Sequence, residues 1–243
     1  MNDLSFEVPK VLFQTSPKQL PRYVVDINMK YCPKWEYKHF DDQGIYSFFE
    51  ENPLEEFKEI RSRFDSFSNG AHRADLFRYF YLYQKGGVYL DSDAVLCADI
   101  DRICANYDFI SIRSYHKDKK LLFNGFIVAR PGCSVLYDAL KNIYEMDDEL
   151  LKSDYHLICK NLFSFVNECK GISVKIYKEE RSSEFLPGVR TYSGEKVLIV
   201  IHYCYLKKVP RFSGRLFSFL YGVIFKVKFL YKIYYRLSLK FNV

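Results

Sequence analysis

Two aspartates separated by one residue, Asp91 and Asp93, follow directly on the short apolar run at residues 88–90. Carboxylates at the end of a buried strand lie at the edge of the sheet where α/β proteins bind their ligands. Mg²⁺ and Mn²⁺ prefer such oxygen ligands and readily join them to a diphosphate. Acidic turns are common, however, and the pair alone is weak support for a metal site. Its surroundings decide the interpretation.

The segment before this turn, residues 71–85, has a helical pattern that ends at Gly86-Gly87. Asp75 and Arg78 are three residues apart in it and therefore share one face. The remaining side chains are mostly aromatic and aliphatic, which predicts a buried helix. Two interpretations of the charged pair stay open. It is an ion pair at the rim of the core, or it presents a carboxylate and a guanidinium to a ligand with hydroxyl or phosphate groups.

Single strands alternate with helices along the chain, which predicts an α/β fold with a mostly parallel central sheet. The periodicity predicts strands at 8–14, 35–40, 88–90, 108–113, 121–129, 172–177 and 197–203. It predicts helices at 22–31, 43–51, 54–64, 71–85, 133–146 and 154–168.

The segment from Ala74 to Asp93 closely resembles the DXD sugar-binding region of glycosyltransferase family 32. The residues that carry the resemblance are Ala74-Asp75-Leu76-Phe77-Arg78-Tyr79, Leu82-Tyr83 and Gly86-Gly87-Val88-Tyr89-Leu90-Asp91-Ser92-Asp93. The first strand, residues 8–14, and the stretch from Pro33 to Asp42 are similar to the first two strands of that family. The resemblance covers roughly residues 8–130.

The resemblance implies a GT-A-like fold, a nucleotide-diphosphate sugar donor, a divalent metal (Mn²⁺ or Mg²⁺) and transfer with retention of anomeric configuration. By position it implies that Asp75 and Arg78 hold the donor sugar, and Gln14 is also expected to contact the donor. Asp91 is expected to contact both the donor and the metal, and Asp93 is expected to bind the metal directly. The family usually has His at the position of Phe13 and Trp at that of Ser16. The aromatic residue that stacks on the nucleotide base is therefore not predicted here, and neither is the identity of that base.

Three further residues each have two interpretations. His202 ends an apolar strand and is either the third metal ligand, as in related enzymes, or an ordinary core histidine. Asn124, beside Gly125, either binds the donor or belongs to a turn or bulge. Trp35 stacks on a ligand or, as the favoured alternative, anchors the chain beside Pro33. No pair of carboxylates in the sequence is recognisable as a nucleophile and an acid/base catalyst, so the catalytic residue stays unknown.

The net charge of +6 is concentrated at the C-terminal end. Residues 211–243 contain seven Lys and Arg and no acid, which leaves residues 1–210 with a charge of −1. On a helical wheel the basic side chains fall within about 160°, opposite an apolar face, as in a helix that lies on a membrane surface. We therefore expect a glycosyltransferase domain over 1–210 and a basic amphipathic tail over 211–243, with packing of that tail on the domain as the alternative.

The seven cysteines form no CxxC pair, and the N-terminus shows no signal peptide, which predicts reduced, mostly buried thiols in a cytoplasmic protein. The expected partners are a nucleotide-sugar donor (UDP-hexose favoured), a glycan or lipid-linked glycan acceptor, and the inner face of the cell membrane. Nucleic acid is not expected. A role in bacterial capsule or lipopolysaccharide synthesis follows as a hypothesis. The alternatives are a toxin-like glycosyltransferase that acts on a protein, a phosphotransferase or nuclease, and a non-enzymatic membrane-surface binding protein.

Overall fold

A computed structural model of the chain describes residues 7–96, 98–114, 120–181, 189–192 and 195–200. The helices of this part are α1 (Arg22–Lys30), α2 (Asp42–Glu51), α3 (Ile60–Ser66), α4 (Gly70–Lys85), α5 (Ile100–Cys104), α6 (Ser134–Glu145), α7 (Asp148–Ser153) and α8 (Leu157–Glu168), with a 3₁₀ turn at Glu55–Phe57. None of these helices is long and apolar enough to cross a membrane.

Ten strands complete the described part of the chain. They are β1 (Val11–Thr15), β2 (Glu36–Phe40), β3 (Gly87–Leu90), β4 (Ala94–Leu96), β5 (Phe109–Arg113), β6 (Leu122–Ala129), β7 (Val174–Lys178), β8 (Glu180–Arg181), β9 (Val189–Tyr192) and β10 (Glu195–Val200). Six form a central sheet in the order β2-β1-β3-β6-β5-β7, and four form a second sheet in the order β4-β10-β9-β8.

The central sheet is mixed but mostly parallel. β1 pairs in parallel with β2 and β3, and β5 pairs in parallel with β7, whereas β6 is antiparallel to both of its neighbours. The predicted α/β fold with a mostly parallel central sheet is therefore confirmed. The predicted C-terminal helix and the boundary at residue 210 lie outside the described residues.

Two apolar clusters cover the opposite faces of the central sheet, because successive side chains of a strand point to opposite sides. On β1, Phe13 belongs to the cluster formed with α2, α3, α4, α6 and α8, whereas Leu12 belongs to the cluster formed with α5 and β4. On β3, Tyr89 faces the first cluster and Val88 the second. The sheet is thus the middle layer of the core.

Aromatic rings fix α4 against the sheet. Phe77 is fully buried and its ring meets those of Phe13, Phe40, Phe48 and Phe49 at centroid distances between 5.0 and 6.2 Å. Edge-to-face pairs of this kind stabilise beyond the area they bury. The helix that carries Asp75 and Arg78 therefore has a defined position.

Two glycines turn the chain from α4 directly into β3. Gly86 and Gly87 have φ values of 65° and 106°, which other residues rarely adopt. A Cβ on Gly87 would lie 2.7 Å from the carbonyl oxygen of Val11, and one on Gly86 would lie 2.6 Å from Cδ of Pro131. The pair allows the close approach that joins α4, β1 and β3 beneath the site.

The cysteines of the described residues are free thiols, as predicted. Cys32, Cys104 and Cys133 are buried, and Cys159 and Cys169 are partly buried. Burial raises the pKa of Cys133 to about 11. Cys97 and Cys204 lie outside the description.

Candidate active site

Arg78 joins two of the three carboxylates that the sequence singled out, those of Asp75 and Asp91. Its Nη1 lies 3.3 Å from Oδ1 of Asp75, and its Nη2 lies 3.4 Å from Oδ1 of Asp91. Nη1 also donates to the carbonyl oxygen of Asn124 at 2.6 Å, and Nε donates to that of Ala74 at 3.1 Å. The guanidinium therefore links α4, the turn after β3, and β6.

The structure supports the ion-pair interpretation of Asp75 and Arg78, whereas their presentation to a ligand stays a prediction. Asp75 and Arg78 do form an ion pair, but it is buried rather than at the rim, with 11% and 5% of their side chains exposed. Burial raises the pKa of Asp75, and the neighbouring Arg78 only partly offsets it. Asp91, at 28%, is the more accessible carboxylate. The buried pair thus lies beside a carboxylate, that of Asp91, which is partly exposed to solvent.

Tyr89 supports the same carboxylate from the sheet. Its hydroxyl donates to Oδ1 of Asp91 at 2.9 Å and lies 3.2 Å from Oγ1 of Thr15. The guanidinium of Arg78 lies over its ring, 4.1 Å from the centroid. The sequence spacing is enough to predict this contact, because Tyr89 and Asp91 are two residues apart and their side chains leave the strand on the same side.

Gln14 holds the backbone of the acidic turn. Its side chain is fully buried, and Nε2 donates to the carbonyl oxygen of Asp91 at 2.9 Å. Its Oε1 accepts from Asn28 and from the hydroxyl of Tyr37, each at 3.2 Å. The observed role is positioning, and direct contact of Gln14 with the donor stays a prediction.

Asn124 and Gly125 lie on β6 beside the acidic turn. Asn124 Nδ2 donates to Oδ1 of Asp75 at 3.0 Å, and the Gly125 carbonyl accepts from the backbone N–H of Asp91 at 2.8 Å. A Cβ on Gly125 would lie only 2.2 Å from Oδ2 of Asp91. The register between β5 and β6 also shifts here, between Ile110 and Ile112. The structure supports the bulge interpretation of this dipeptide, and its glycine lets the Asp91 carboxylate approach the backbone. Binding of the donor by Asn124 stays a prediction.

Two buried polar atoms next to Asp75 have no hydrogen-bond partner within the part of the chain that the structure describes. They are the hydroxyl oxygen of Tyr79 and Oδ1 of Asn124. Buried polar atoms are normally paired, because an unpaired one costs free energy. The cluster around Asp75 thus has hydrogen-bonding capacity left for a ligand.

Asp91 and Asp93 occupy the turn between β3 and β4, closed by a bond from Ala94 N to Asp91 O of 2.9 Å. Among the described residues, no three His, Cys, Asp or Glu side chains form a group that could hold a metal ion by itself. Mg²⁺ commonly binds through one or two carboxylates, with substrate phosphates and water in the other positions. Two hard oxygen donors beside an open face fit that type of ion.

His202 lies outside the described residues. Val200, the last described residue of β10, pairs with Ala94, which directly follows Asp93. The described part of the predicted late strand therefore runs beside β4, the strand that follows the acidic turn. Ligation by His202 stays a prediction.

Trp35 is buried and anchors the chain, as the favoured interpretation has it. Only 5% of it is exposed, and its Nε1 donates to Oδ1 of Asp101 at 3.1 Å. Phe13, which stands where the family usually has His, is likewise buried, under the ring of Tyr81 at 4.1 Å. Both rings belong to the core.

Comparison with known proteins matches the segment that carries α4 and the acidic turn. Residues 19–110 match the family described as "Glycosyltransferase sugar-binding region containing DXD motif". A curated relative, inositol phosphoceramide mannosyltransferase 3 of Schizosaccharomyces pombe, is 32% identical over 94 residues, which are 37% of this chain and 25% of the relative. The chain thus matches only about a quarter of the length of that relative.

Two solved structures are similar over a larger share of the chain but at low sequence identity. The PaToxG glycosyltransferase has a TM-score of 0.47 and 10% identity, covering 66% of this chain and 69% of its own. A glycosyltransferase involved in glycosylation of the major capsid of PBCV-1 has a TM-score of 0.41 and 12% identity, covering 70% and 82%.

Residues 19–110 therefore match a glycosyltransferase sugar-binding region, and a mixed α/β structure carries that segment. Over that segment the chain is similar to the glycosyltransferases of the family 32 type. DXD glycosyltransferases of this fold generally use a divalent metal, and the two carboxylates of the turn suit one.

Proposed function

We propose that this protein is a metal-dependent hexosyltransferase that uses a nucleotide-diphosphate sugar as donor and a glycan or lipid-linked glycan as acceptor. One observation carries the proposal. Arg78 holds the sugar-side carboxylate of Asp75 and the DXD carboxylate of Asp91 in a single buried network. A mutual ion pair would need only one carboxylate, whereas this arrangement orients two polar groups toward one ligand.

Asp93 is proposed as a direct metal ligand, and Asp91 as a group shared between the metal and the ribose or sugar of the donor. His202 is proposed as the third ligand, because β10 ends beside Ala94. The metal, Mn²⁺ or Mg²⁺, would neutralise the negative charge that grows on the diphosphate as the sugar leaves. Gln14 and Tyr89 would keep Asp91 in place without contacting the metal.

The donor sugar is proposed to bind at Asp75, Arg78 and Asn124. Its hydroxyls can donate to the Asp75 carboxylate and to Asn124 Oδ1, which lacks a partner among the described residues. They can accept from Arg78 and from the Tyr79 hydroxyl. A ligand with several hydroxyl groups would satisfy both kinds of atom at once.

The favoured donor is a UDP-hexose, with GDP-mannose as the second candidate. The name of the curated relative, a mannosyltransferase, supports including GDP-mannose on equal terms in any test. Retention of configuration rests on the family resemblance. We assign no nucleophile, and the described side chains would act by positioning and electrostatic stabilisation.

Attachment to the inner face of the cell membrane through residues 211–243 is proposed from the seven basic residues of that segment. It would suit an acceptor carried on a lipid, as in capsule or lipopolysaccharide synthesis. No described residue bears on the tail, and the proposal rests on sequence alone.

The test is release of free nucleoside diphosphate. The purified full-length chain is incubated with UDP-glucose, UDP-galactose or GDP-mannose, with and without Mn²⁺, and the products are separated by chromatography. We expect metal-dependent release of UDP or GDP from at least one donor. Release of nucleoside monophosphate instead would indicate a phosphodiesterase-type reaction and contradict the proposal.

Two variants sharpen this test. Asp93→Ala should abolish the release, whereas Asp26→Ala, which removes an exposed carboxylate of α1, should leave it unchanged. If no donor is cleaved and none raises the melting temperature, a non-enzymatic binding protein becomes the better description.

A further inference from the structure

Tyr155 is an exposed aromatic residue in the loop between α7 and α8. Its exposure is 57%, and Leu150, at 52%, is the other large apolar residue that is so exposed in the described part of the chain. Single exposed apolar residues are ordinary. What distinguishes Tyr155 is that its ring is held in place without being buried.

Two histidines hold the ring. The imidazole of His72 lies 5.6 Å from it, centroid to centroid, at 38°, and that of His156 lies 5.2 Å from it at 79°. Asp154 fixes the loop by accepting from the backbone N–H of His156 at 3.0 Å and from Lys160 at 3.0 Å. A rigid, exposed aromatic face loses little conformational entropy when a ligand covers it.

The ring lies beside the proposed sugar site. His72 precedes Asp75 by three residues on α4, so the two share one face about one helical turn, ~5 Å, apart. Asp75 and Asp91 both help to raise the pKa of Tyr155, after burial as the largest cause, which agrees with this proximity. His72 is itself buried, and its Nε2 has no partner among the described residues.

The position of Tyr155 separates it from the donor groups. Asp75, Arg78 and Asn124 are nine-tenths or more buried and suit a sugar that is enclosed on binding. Tyr155 is instead exposed, in the loop that leads into α8, the helix that packs on β6. The ends of β1 and β2, with Ser16 and His39, are across β3 from it.

Transfer requires the acceptor hydroxyl to come within about 3–3.5 Å of the reacting carbon of the donor sugar. An acceptor must therefore lie next to the Asp75 cluster and outside it. An aromatic face suits the C–H face of a pyranose ring, whose partly positive hydrogens meet the negative face of the π system.

We propose that Tyr155, backed by His72, is the platform on which the ring of the acceptor sugar stacks, and hence that the acceptor presents a pyranose and not a protein hydroxyl or a bare lipid headgroup. This inference rests on the proposed function. The inference adds to the proposed function a specificity-determining residue and a class of acceptor substrate.

The test compares Tyr155→Ala with Tyr155→Phe and with Leu150→Ala as the matched exposed control. The soluble probes are methyl α-mannopyranoside and methyl β-galactopyranoside, and the readouts are KM for the probe and KM for the donor. Loss of one aromatic stack should raise the KM for a transferring probe about three- to tenfold in Tyr155→Ala. The donor KM should not change, and Tyr155→Phe and Leu150→Ala should behave as wild type.

Direct binding keeps the test decisive where transfer to a probe is slow. Saturation-transfer NMR of each glycoside, with and without UDP and Mn²⁺, should show contact with wild type and Tyr155→Phe, and much weaker contact with Tyr155→Ala. Equal saturation in all variants overturns the inference, as does a parallel rise of donor KM in Tyr155→Ala, which would assign the ring to the donor. Failure of every nucleotide-sugar to bind would instead refute the proposed function, whereas the donor-free NMR arm would still test Tyr155.

Discussion

Arg78 is the residue on which the geometry of the site depends. One guanidinium contacts two carboxylates, two backbone carbonyls and an aromatic face, and 5% of its side chain is exposed. A buried charge network of this kind adds little stability as a whole, but removing one member leaves the others uncompensated. The network therefore fixes the positions of its side chains more than it stabilises the fold.

Arg78→Met should lower the free energy of unfolding by about 3–5 kcal/mol, because Asp75 loses its compensating charge. The pKa of Asp75, already raised by burial, should rise further without Arg78. A carboxyl with a raised pKa in the folded state binds its proton more tightly there than in the unfolded chain. The variant should therefore recover stability as the pH falls from neutral to mildly acidic.

Urea unfolding at a series of pH values measures this effect. The control is Arg73→Met on the same helix, whose ion pair with Asp42 is partly exposed and should cost less than about 1 kcal/mol. Equal costs for the two variants would contradict the role given to Arg78.

Gly125→Ala tests the close approach of β6 to the acidic turn. The new Cβ would lie 2.2 Å from Oδ2 of Asp91 and 2.1 Å from the ring of Phe123, so the carboxylate must move. We expect donor cleavage to fall at least about tenfold, as for a displaced catalytic group. Gly70→Ala, at the first residue of α4 and with nothing within 4 Å of its Cβ, should keep activity and change stability by less than about 1 kcal/mol. Activity retained in Gly125→Ala would show that Asp91 tolerates displacement.

At the scale of elements, α4 and β3 act as one unit, because Gly86 and Gly87 leave no linker between them. The helix supplies Asp75 and Arg78, and the strand leads into Asp91. The aromatic contacts of Phe77 keep this unit against β1 and α2. Stability of the aromatic cluster and geometry of the site are thus coupled.

Phe77→Ala should destabilise the fold by about 3–5 kcal/mol, since it opens a cavity among five rings. Donor binding should weaken as well, because the cavity loosens the helix that carries Asp75 and Arg78. Thermal unfolding with and without nucleotide-sugar measures both effects, and Phe77→Leu should show each of them to a smaller degree. A fully active, stable Phe77→Ala would show that the packing of the aromatic core does not control the geometry of the site.

The sequence predicts those parts of the fold that depend on local pattern. The buried helix α4, its glycine stop and β3 follow from apolar periodicity and from Gly86-Gly87. The predicted helix at 54–64 is instead a 3₁₀ turn followed by α3, and that at 154–168 begins only at Leu157. Helix ends depend on tertiary contacts that periodicity does not contain.

Long-range pairing is beyond sequence reasoning. The antiparallel direction of β6 and the pairing of the three-residue β4 with β10 join segments far apart in the chain. The family resemblance identifies Asp75, Arg78, Asp91 and Asp93, but not that Arg78 joins two of them. Tyr155 has no signal in the sequence, since it lies in a polar loop and becomes significant only through His72.

At the scale of the whole molecule, the charge is divided unevenly, with −1 over residues 1–210 and +7 over residues 211–243. Attraction to an anionic membrane surface scales with such basic residues and weakens with added salt. Deleting residues 211–243 should therefore abolish sedimentation with vesicles that contain phosphatidylglycerol. The full chain should bind pure phosphatidylcholine vesicles much more weakly, and the nucleoside diphosphate release of the truncated chain should persist. Unchanged sedimentation after the deletion would refute membrane attachment through the tail.

The central claim is that the acidic turn holds the diphosphate of a nucleotide-sugar through a metal. Isothermal titration of the donor that gives product release, with and without Mn²⁺, tests it most directly on wild type, Asp93→Ala and Asp26→Ala. We predict Mn²⁺-dependent binding to wild type and Asp26→Ala, and loss of the Mn²⁺-dependent part in Asp93→Ala. Donor binding that remains equally tight and equally Mn²⁺-dependent in Asp93→Ala would contradict the account.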